Sequence, residues 1–202
     1  MKVAEAKEQV LEIAQKAYRE KLMAGTSGNI SLYLHEENKV VITPSSIDYL
    51  QMTVEDISVI TLEGEILEGP HQPSSEWPMH TEIYKEFQES YALVHTHSPY
   101  ATAFAVCGEE IPEILIEMKP FIGGDIKVAP FAPAGSVELG KVTAPYLKER
   151  KACLLANHGT MSIGKDLSSA YISSIYLEDA AKIYAFAKSV GKPIVLSSER
   201  GE

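Results

Sequence analysis

Three histidines stand where short apolar runs give out, and their positions suit metal chemistry. The run 91–94 leads into His95-Thr96-His97. On a strand, side chains alternate between faces, so an i, i+2 pair puts both imidazoles on one side, where one metal ion can reach both. A second apolar run, 152–156, leads into Asn157-His158-Gly159 and brings a third imidazole to a strand end. Three imidazoles suit a catalytic zinc site, because a closed structural site takes four protein ligands and leaves no place for substrate. A His-x-His pair on its own equally fits half-buried, hydrogen-bonded strand ends. Cys107 and Cys153 lie far apart, in apolar surroundings and outside any CxxC arrangement, so they read as reduced core residues of a cytosolic protein.

A second set of residues suits anion binding. Gly25-Thr26-Ser27-Gly28-Asn29, Thr43-Pro44-Ser45-Ser46 and Ser74-Ser75 are small and polar, and the last of them precedes an apparent helix start. There Ser74 or Ser75 can cap, and Pro78 fits a first turn where its missing N–H is not needed. Hydroxyls and free N–H groups at the positive end of a helix make a ready phosphate site. Singly, each stretch is also a plain turn or cap. The anion reading requires the fold to bring the three together.

The elements that must position these groups follow from periodicity. Val3, Ala6, Val10, Ile13, Ala14 and Ala17 recur at helical spacing. Residues 30–34, with alternating polarity, and 39–43 read as strands, and 57–62 and 65–67 read as a hairpin about Gly64. Helices are expected at 77–88, 99–106 and 112–121, then a strand at 125–128. Ser136 caps a helix running toward Arg150 that Pro145 breaks or kinks. Strands follow at 152–156 and 160–163, then a long helix over 167–190 in which Glu178 reads as a solvated or hydrogen-bonded structural residue. The tail, 191–202, reads as loosely ordered.

At 202 residues, 45% hydrophobic and 23% charged, the chain can bury the core of one globular domain spanning 1–202. Its net charge of −10 argues against nucleic acid and anionic lipid as partners. No apolar stretch is long enough to span a bilayer, and no export signal is visible, so a cytoplasmic location is expected.

The order and spacing of these motifs, with Pro73-Ser74-Ser75-Glu76-Trp77 included, resemble the class II aldolase and adducin-head family from the first helix to about Lys188. The resemblance implies an α/β fold: a three-layer α/β/α domain with a largely antiparallel central sheet. It also implies a homotetramer with active sites at subunit interfaces. It makes His95, His97 and His158 ligands of Zn(2+) and Glu76 the catalytic acid/base, itself able to contact the metal. Gly28, Asn29, Ser45, Ser46, Ser74 and Ser75 fall on the family's phosphate-binding positions. The implied reaction is reversible cleavage of a ketose 1-phosphate, L-fuculose 1-phosphate in the first instance, to dihydroxyacetone phosphate and L-lactaldehyde through an enediolate.

Two departures stand out. A sugar-phosphate aldolase of the family has glycine at the position of Ser46. Two tyrosines that the family supplies from a neighbouring subunit have no counterpart in 111–124, where Glu117 lies close to the first position, or beyond Tyr184. Sugar-phosphate epimerases of the family carry aspartate where Glu76 stands. Decarboxylases and dehydratases share the three histidines, a non-catalytic adducin-like scaffold keeps only the fold, and a zinc hydrolase with Glu76 as base fits the residues alone.

Overall fold

The structure, a computed structural model, describes residues 2–87 and 91–196. The strand β1 (Asn29–Leu34) is buried at all six positions, so its alternating sequence does not divide core from solvent. Ile30, Leu32 and Leu34 enter an apolar core on one side. On the other side Tyr33 stacks on Tyr84, with ring centroids 5.2 Å apart, and Asn29 and Ser31 lie on that same face. A strand covered on both faces is the middle of a sandwich of helices.

β1 pairs antiparallel with β2 (Lys39–Ile42) and with β5 (Ala92–Thr96). The eight-stranded sheet runs β4 (Ile66–Glu68), β3 (Ser58–Ile60), β2, β1, β5, β8 (Gly159–Gly164), β7 (Ala152–Leu155) and β6 (Val128–Ala129). Only β6–β7 is parallel among these pairs. The α/β fold with a mostly antiparallel sheet is therefore as expected.

One face carries α1 (Val3–Arg19), α3 (Pro99–Cys107), α4 (Met118–Phe121) and α6 (Leu167–Val190), and the other carries α2 (Trp77–Lys85) and α5 (Val137–Glu149). α1 buries the five residues Ala6, Val10, Ile13, Ala14 and Ala17, as its period requires. At Gly140 α5 presses so close to α2 that a Cβ would lie 2.8 Å from the carbonyl oxygen of Met79. α6 has the expected bounds, and its N-terminus is closed by a capping box between Asp166 and Ser169. From within α6, Glu178 accepts hydrogen bonds from the backbone N–H groups of Tyr100 and Ala101 at 3.0 and 2.8 Å. It thereby caps α3, whose own Ser98 makes no side-chain cap, and anchors the chain just beyond His97.

Several expectations fail for local reasons. The helix expected at 112–121 is reduced to Met118–Phe121, because Ile111 and Ile126 exchange backbone hydrogen bonds of 3.0 and 2.9 Å and hold the chain extended. The strand expected at 125–128 starts only at its last residue and is the two-residue Val128–Ala129. Pro145 lies inside α5 without ending it. Its side is exposed, so water can take the carbonyl that lost its donor. Cys153 is buried, its thiol pushed up to about 12 by that burial, but Cys107 is exposed and is not a core residue. Gln88, the expected end of α2, and the tail residues 197–202 lie outside the described residues.

Candidate metal centre and active site

β5 delivers the first two histidines. His95 is fully buried, and its Nδ1–H donates to the carbonyl of Thr160 across the β5–β8 ladder at 2.7 Å. That bond leaves Nε2 with a free lone pair turned toward the site. His97, one residue beyond β5, places its Nε2 3.0 Å from that of His95. Asn157 takes a left-handed turn, φ +55°, between β7 and β8 and brings His158 alongside, its ring centroid 4.8 Å from that of His95 and 5.1 Å from that of His97.

Glu76 closes the cluster. Its Oε2 lies 3.0 Å from His95 Nε2 and its Oε1 3.2 Å from His158 Nε2. Asn29 Nδ2 donates to Oε2 at 2.8 Å. One ligand atom from each of Glu76, His95, His97 and His158 lies within 4.8 Å of the others. The donor set fits a divalent ion: three imidazole nitrogens and a carboxylate are its usual partners, and ligands about 2.1 Å from a tetrahedral centre stand about 3.4 Å apart. Glu76 Oε1, buried with no aligned hydrogen bond, is the kind of orphan that a cation satisfies.

The electrostatics agree. Burial alone would raise the Glu76 carboxyl, but the imidazoles of His95 and His158 beside it outweigh that and hold the group far below the usual carboxylate range. Burial lowers His95, yet Glu76 brings it above its ordinary value. His97 is pushed down to about 4, by burial first and then by its positive neighbours. The site holds a carboxylate that calls for positive charge beside it.

Over the cluster opens a cleft of about 390 Å³, walled by Gly28, Asn29, Ser45, Ser46, Ser74 and Ser75 and reaching Glu76, His97, His158 and Ala134. The fold thus brings the three small-polar loops together. Pro44 bridges Pro73, Ser45 Oγ donates to Pro73 O at 3.0 Å, and Ser75 N–H donates to Ser45 Oγ at 2.9 Å. The Tyr49 hydroxyl ties in the first loop by donating to Gly28 O at 2.6 Å. A larger cavity of about 590 Å³, lined by Tyr91, Phe121 and Leu147 among others, holds none of these residues.

Two details differ from expectation. The N-cap of α2 is Glu76, not Ser74 or Ser75, and it makes no side-chain cap. The amides expected to be free there are occupied, since those of Ser74, Glu76 and Trp77 donate to Thr43 O, Ser74 Oγ and Ser74 O at 2.9, 3.3 and 2.9 Å. That helix start is therefore closed to an anion in the cleft, and because the Ser45 hydroxyl gives its proton to Pro73 O, the hydroxyls that face an anion there are those of Ser46, Ser74 and Ser75. Ser46 has φ +61°, a left-handed conformation that glycine adopts freely and that L side chains take at a cost.

Sequence reasoning passed over Tyr49 and His80. His80 Nε2 lies 2.5 Å from Asn29 Oδ1, so the Asn29 carboxamide is engaged at both ends. The signal available was spacing: His80 follows Glu76 by four residues, one helical turn.

Comparison with known proteins follows the same line. Residues 8–185 match the Class II Aldolase and Adducin N-terminal domain. The chain is 34% identical over 202 residues to a 5-deoxy-D-ribulose 1-phosphate aldolase of Bacillus thuringiensis serovar kurstaki, covering 100% of this chain and 94% of that protein. It is 32% identical over 182 residues to an L-fuculose phosphate aldolase of Methanococcus maripaludis, covering 90% of this chain and 97% of the relative. A solved structure of an L-fuculose 1-phosphate aldolase superposes with a TM-score of 0.93 at 35% identity, covering 100% of this chain and 94% of that one. The class is metal-dependent, and the Glu76, His95, His97, His158 cluster is a place where a metal can bind. By sequence and by fold, this chain belongs to the class II aldolase and adducin N-terminal domain family.

Proposed function

We propose that the chain is a zinc-dependent aldolase that reversibly cleaves a ketose 1-phosphate to dihydroxyacetone phosphate and a small aldehyde. The observation that carries this reading is the Glu76 carboxylate, set against His95 at 3.0 Å and His158 at 3.2 Å and facing a serine-walled cleft. His95, His97 and His158 would hold the metal, with Glu76 able to join them in the free enzyme. When bound, zinc supplies a Lewis acid that stabilises the negative charge developing on the substrate's carbonyl oxygen. Ser45, Ser46, Ser74 and Ser75, with Gly28 and Asn29, receive the phosphate and so fix the three-carbon half relative to Glu76. In cleavage the C3–C4 bond breaks and the C4 hydroxyl gives up its proton to solvent water as it becomes the aldehyde carbonyl. The electron pair left on the phosphorylated half is protonated at C3 by Glu76, which takes that proton up from water in the cleft. In synthesis Glu76 removes that proton.

The substrate ends in a methyl group. The relatives named above act on L-fuculose 1-phosphate and on 5-deoxy-D-ribulose 1-phosphate, both deoxygenated at the terminal carbon and both containing the dihydroxyacetone phosphate half. L-Fuculose 1-phosphate yields L-lactaldehyde; the alternative, 5-deoxyribulose 1-phosphate, yields acetaldehyde, and the full-length likeness to the Bacillus enzyme favours testing it equally. The reading includes one domain over residues 1–202, a homotetramer with active sites at subunit interfaces, and a cytoplasmic location. Among the described residues no helix is long and apolar enough to cross a membrane.

The test is a panel of ketose 1-phosphates and sugar acids incubated with the zinc-loaded protein, with products identified by mass spectrometry. Dihydroxyacetone phosphate and a matching aldehyde are expected from a terminally deoxygenated ketose. Release of carbon dioxide, loss of water or epimerisation, with no dihydroxyacetone phosphate from any ketose, would overturn the aldolase reading and leave the metal site standing.

A further inference from the structure

A line of hydrogen bonds runs from the protein interior to the Glu76 carboxylate. Tyr84 OH lies 2.7 Å from Ser31 Oγ, and Ser31 Oγ lies 2.6 Å from His80 Nδ1. His80 Nε2 lies 2.5 Å from Asn29 Oδ1, and Asn29 Nδ2 lies 2.8 Å from Glu76 Oε2. Ser31, His80 and Tyr84 are buried to within 1% of completeness. Only two elements supply these side chains. Asn29 and Ser31 share one face of β1, and Glu76, His80 and Tyr84 recur at i, i+4 and i+8 along α2.

The carboxylate sets the direction of every bond. An ionised carboxyl only accepts, so Asn29 must turn its NH₂ toward Glu76, and its Oδ1 at the other end needs a donor. His80 therefore carries its proton on Nε2. Its Nδ1 is then an acceptor and takes the Ser31 hydroxyl proton, and Ser31 Oγ in turn accepts from Tyr84. Burial favours the same state, pushing the His80 imidazole down to about 3 and keeping it neutral. Each donor in the line points toward Glu76, and hydrogen bonds arranged in one direction polarise one another.

We propose that His80 is a positioning residue for Glu76: by donating from Nε2 to Asn29 Oδ1 it locks the Asn29 carboxamide with its NH₂ toward Oε2, and so fixes the carboxylate that exchanges the substrate proton. This rests on the reading of Glu76 as acid/base. Without the lock the amide can turn over and set Oδ1 against Oε2, acceptor against acceptor. The carboxylate then loses the neutral donor that Asn29 gives it, and with it the orientation that proton transfer needs.

Two measurements test this. In the unaltered full-length protein, a long-range proton–nitrogen correlation spectrum of the imidazoles should show His80 neutral, protonated on Nε2 and bare on Nδ1, at neutral pH. A proton on Nδ1 instead, or an imidazolium, overturns the proposal whatever the variants do. The second measurement follows solvent deuterium entering dihydroxyacetone phosphate, with metal content recorded. His80→Leu should lower kcat by about 10-fold to 100-fold, the range for outer-shell partners, with KM nearly unchanged. His80→Gln, whose NH₂ can reach Asn29 Oδ1, should recover most of that loss. A folded His80→Leu protein with unchanged kcat, or His80→Gln no better than His80→Leu, contradicts the positioning role. Glu76→Gln separates the two levels: if it exchanges at the unaltered rate, the acid/base reading fails, and if its exchange falls while His80→Leu exchanges at the unaltered rate, only the positioning role fails.

Discussion

The main chain of Gly159 runs hard against Thr96: a Cβ on Gly159 would lie 2.4 Å from the Thr96 carbonyl oxygen and 3.0 Å from Cδ2 of His97. Because the first of these atoms is backbone, it cannot swing aside. This approach is what lets the β7–β8 turn, bearing His158, lie over the end of β5, where His95 and His97 stand. Gly159→Ala should push the two strand ends apart, at a cost of about 1–3 kcal/mol typical of overpacking. Urea unfolding should show a lower midpoint, and elemental analysis less than a full complement of zinc. An alanine variant with an unchanged midpoint and full zinc would mean that the turn tolerates displacement.

His80 gives the metal-free protein a dependence on acid whose sign can be worked out. Its folded pKa, about 3, lies below the unfolded value of about 6.5, so the unfolded chain binds the proton first as pH falls. The stability owed to neutral His80 is complete above about pH 6.5 and is lost as pH falls through that window, by about 1.4 kcal/mol per pH unit. His97, lowered to about 4, acts in the same direction. His80→Gln should therefore reduce the slope of unfolding free energy against pH by about one proton relative to the unaltered protein. Equal slopes in the two would show that His80 is protonated in the folded state.

Ser75 is exposed on the wall of the cleft, and its N–H is already held by Ser45 Oγ at 2.9 Å. In Ser75→Asp the new carboxylate should be tolerated at the start of α2, where the helix dipole favours it, but should repel a phosphate in the cleft. KM for a ketose 1-phosphate should rise about 10-fold or more, since like charges a few ångströms apart in a partly solvated cleft repel by more than about 1 kcal/mol. Zinc content should not change. An unaltered KM would place the phosphate elsewhere.

How legible these features were in the sequence depended on the range of the interactions that make them. α6 was readable to its ends because its apolar period and the Asp166 cap are local. The three histidines were readable because each ends a strand-like run, and strand ends meet at one edge of a sheet. What could not be read were pairings between distant segments. Ile111 meets Ile126 and holds extended a stretch whose composition suits a helix. Glu178 caps a helix 77 residues before it. Asn29 reaches His80 across 51 residues, and only the fold shows that the polar face of β1 lies over α2 rather than toward water. The serine loops were visible, but the amides of Ser74 and Ser75 looked free until the bridge between Pro44 and Pro73 brought Thr43 O and Ser45 Oγ to them.

The central claim, that Glu76 moves the substrate proton beside a metal held by three histidines, is tested most directly by following deuterium from solvent into dihydroxyacetone phosphate with the unaltered protein and with Glu76→Gln, zinc being measured in both. The glutamine keeps the shape of the side chain but cannot accept the proton, so exchange should fall by about 100-fold or more while zinc remains bound. Exchange at the unaltered rate in a zinc-loaded Glu76→Gln protein would contradict the account.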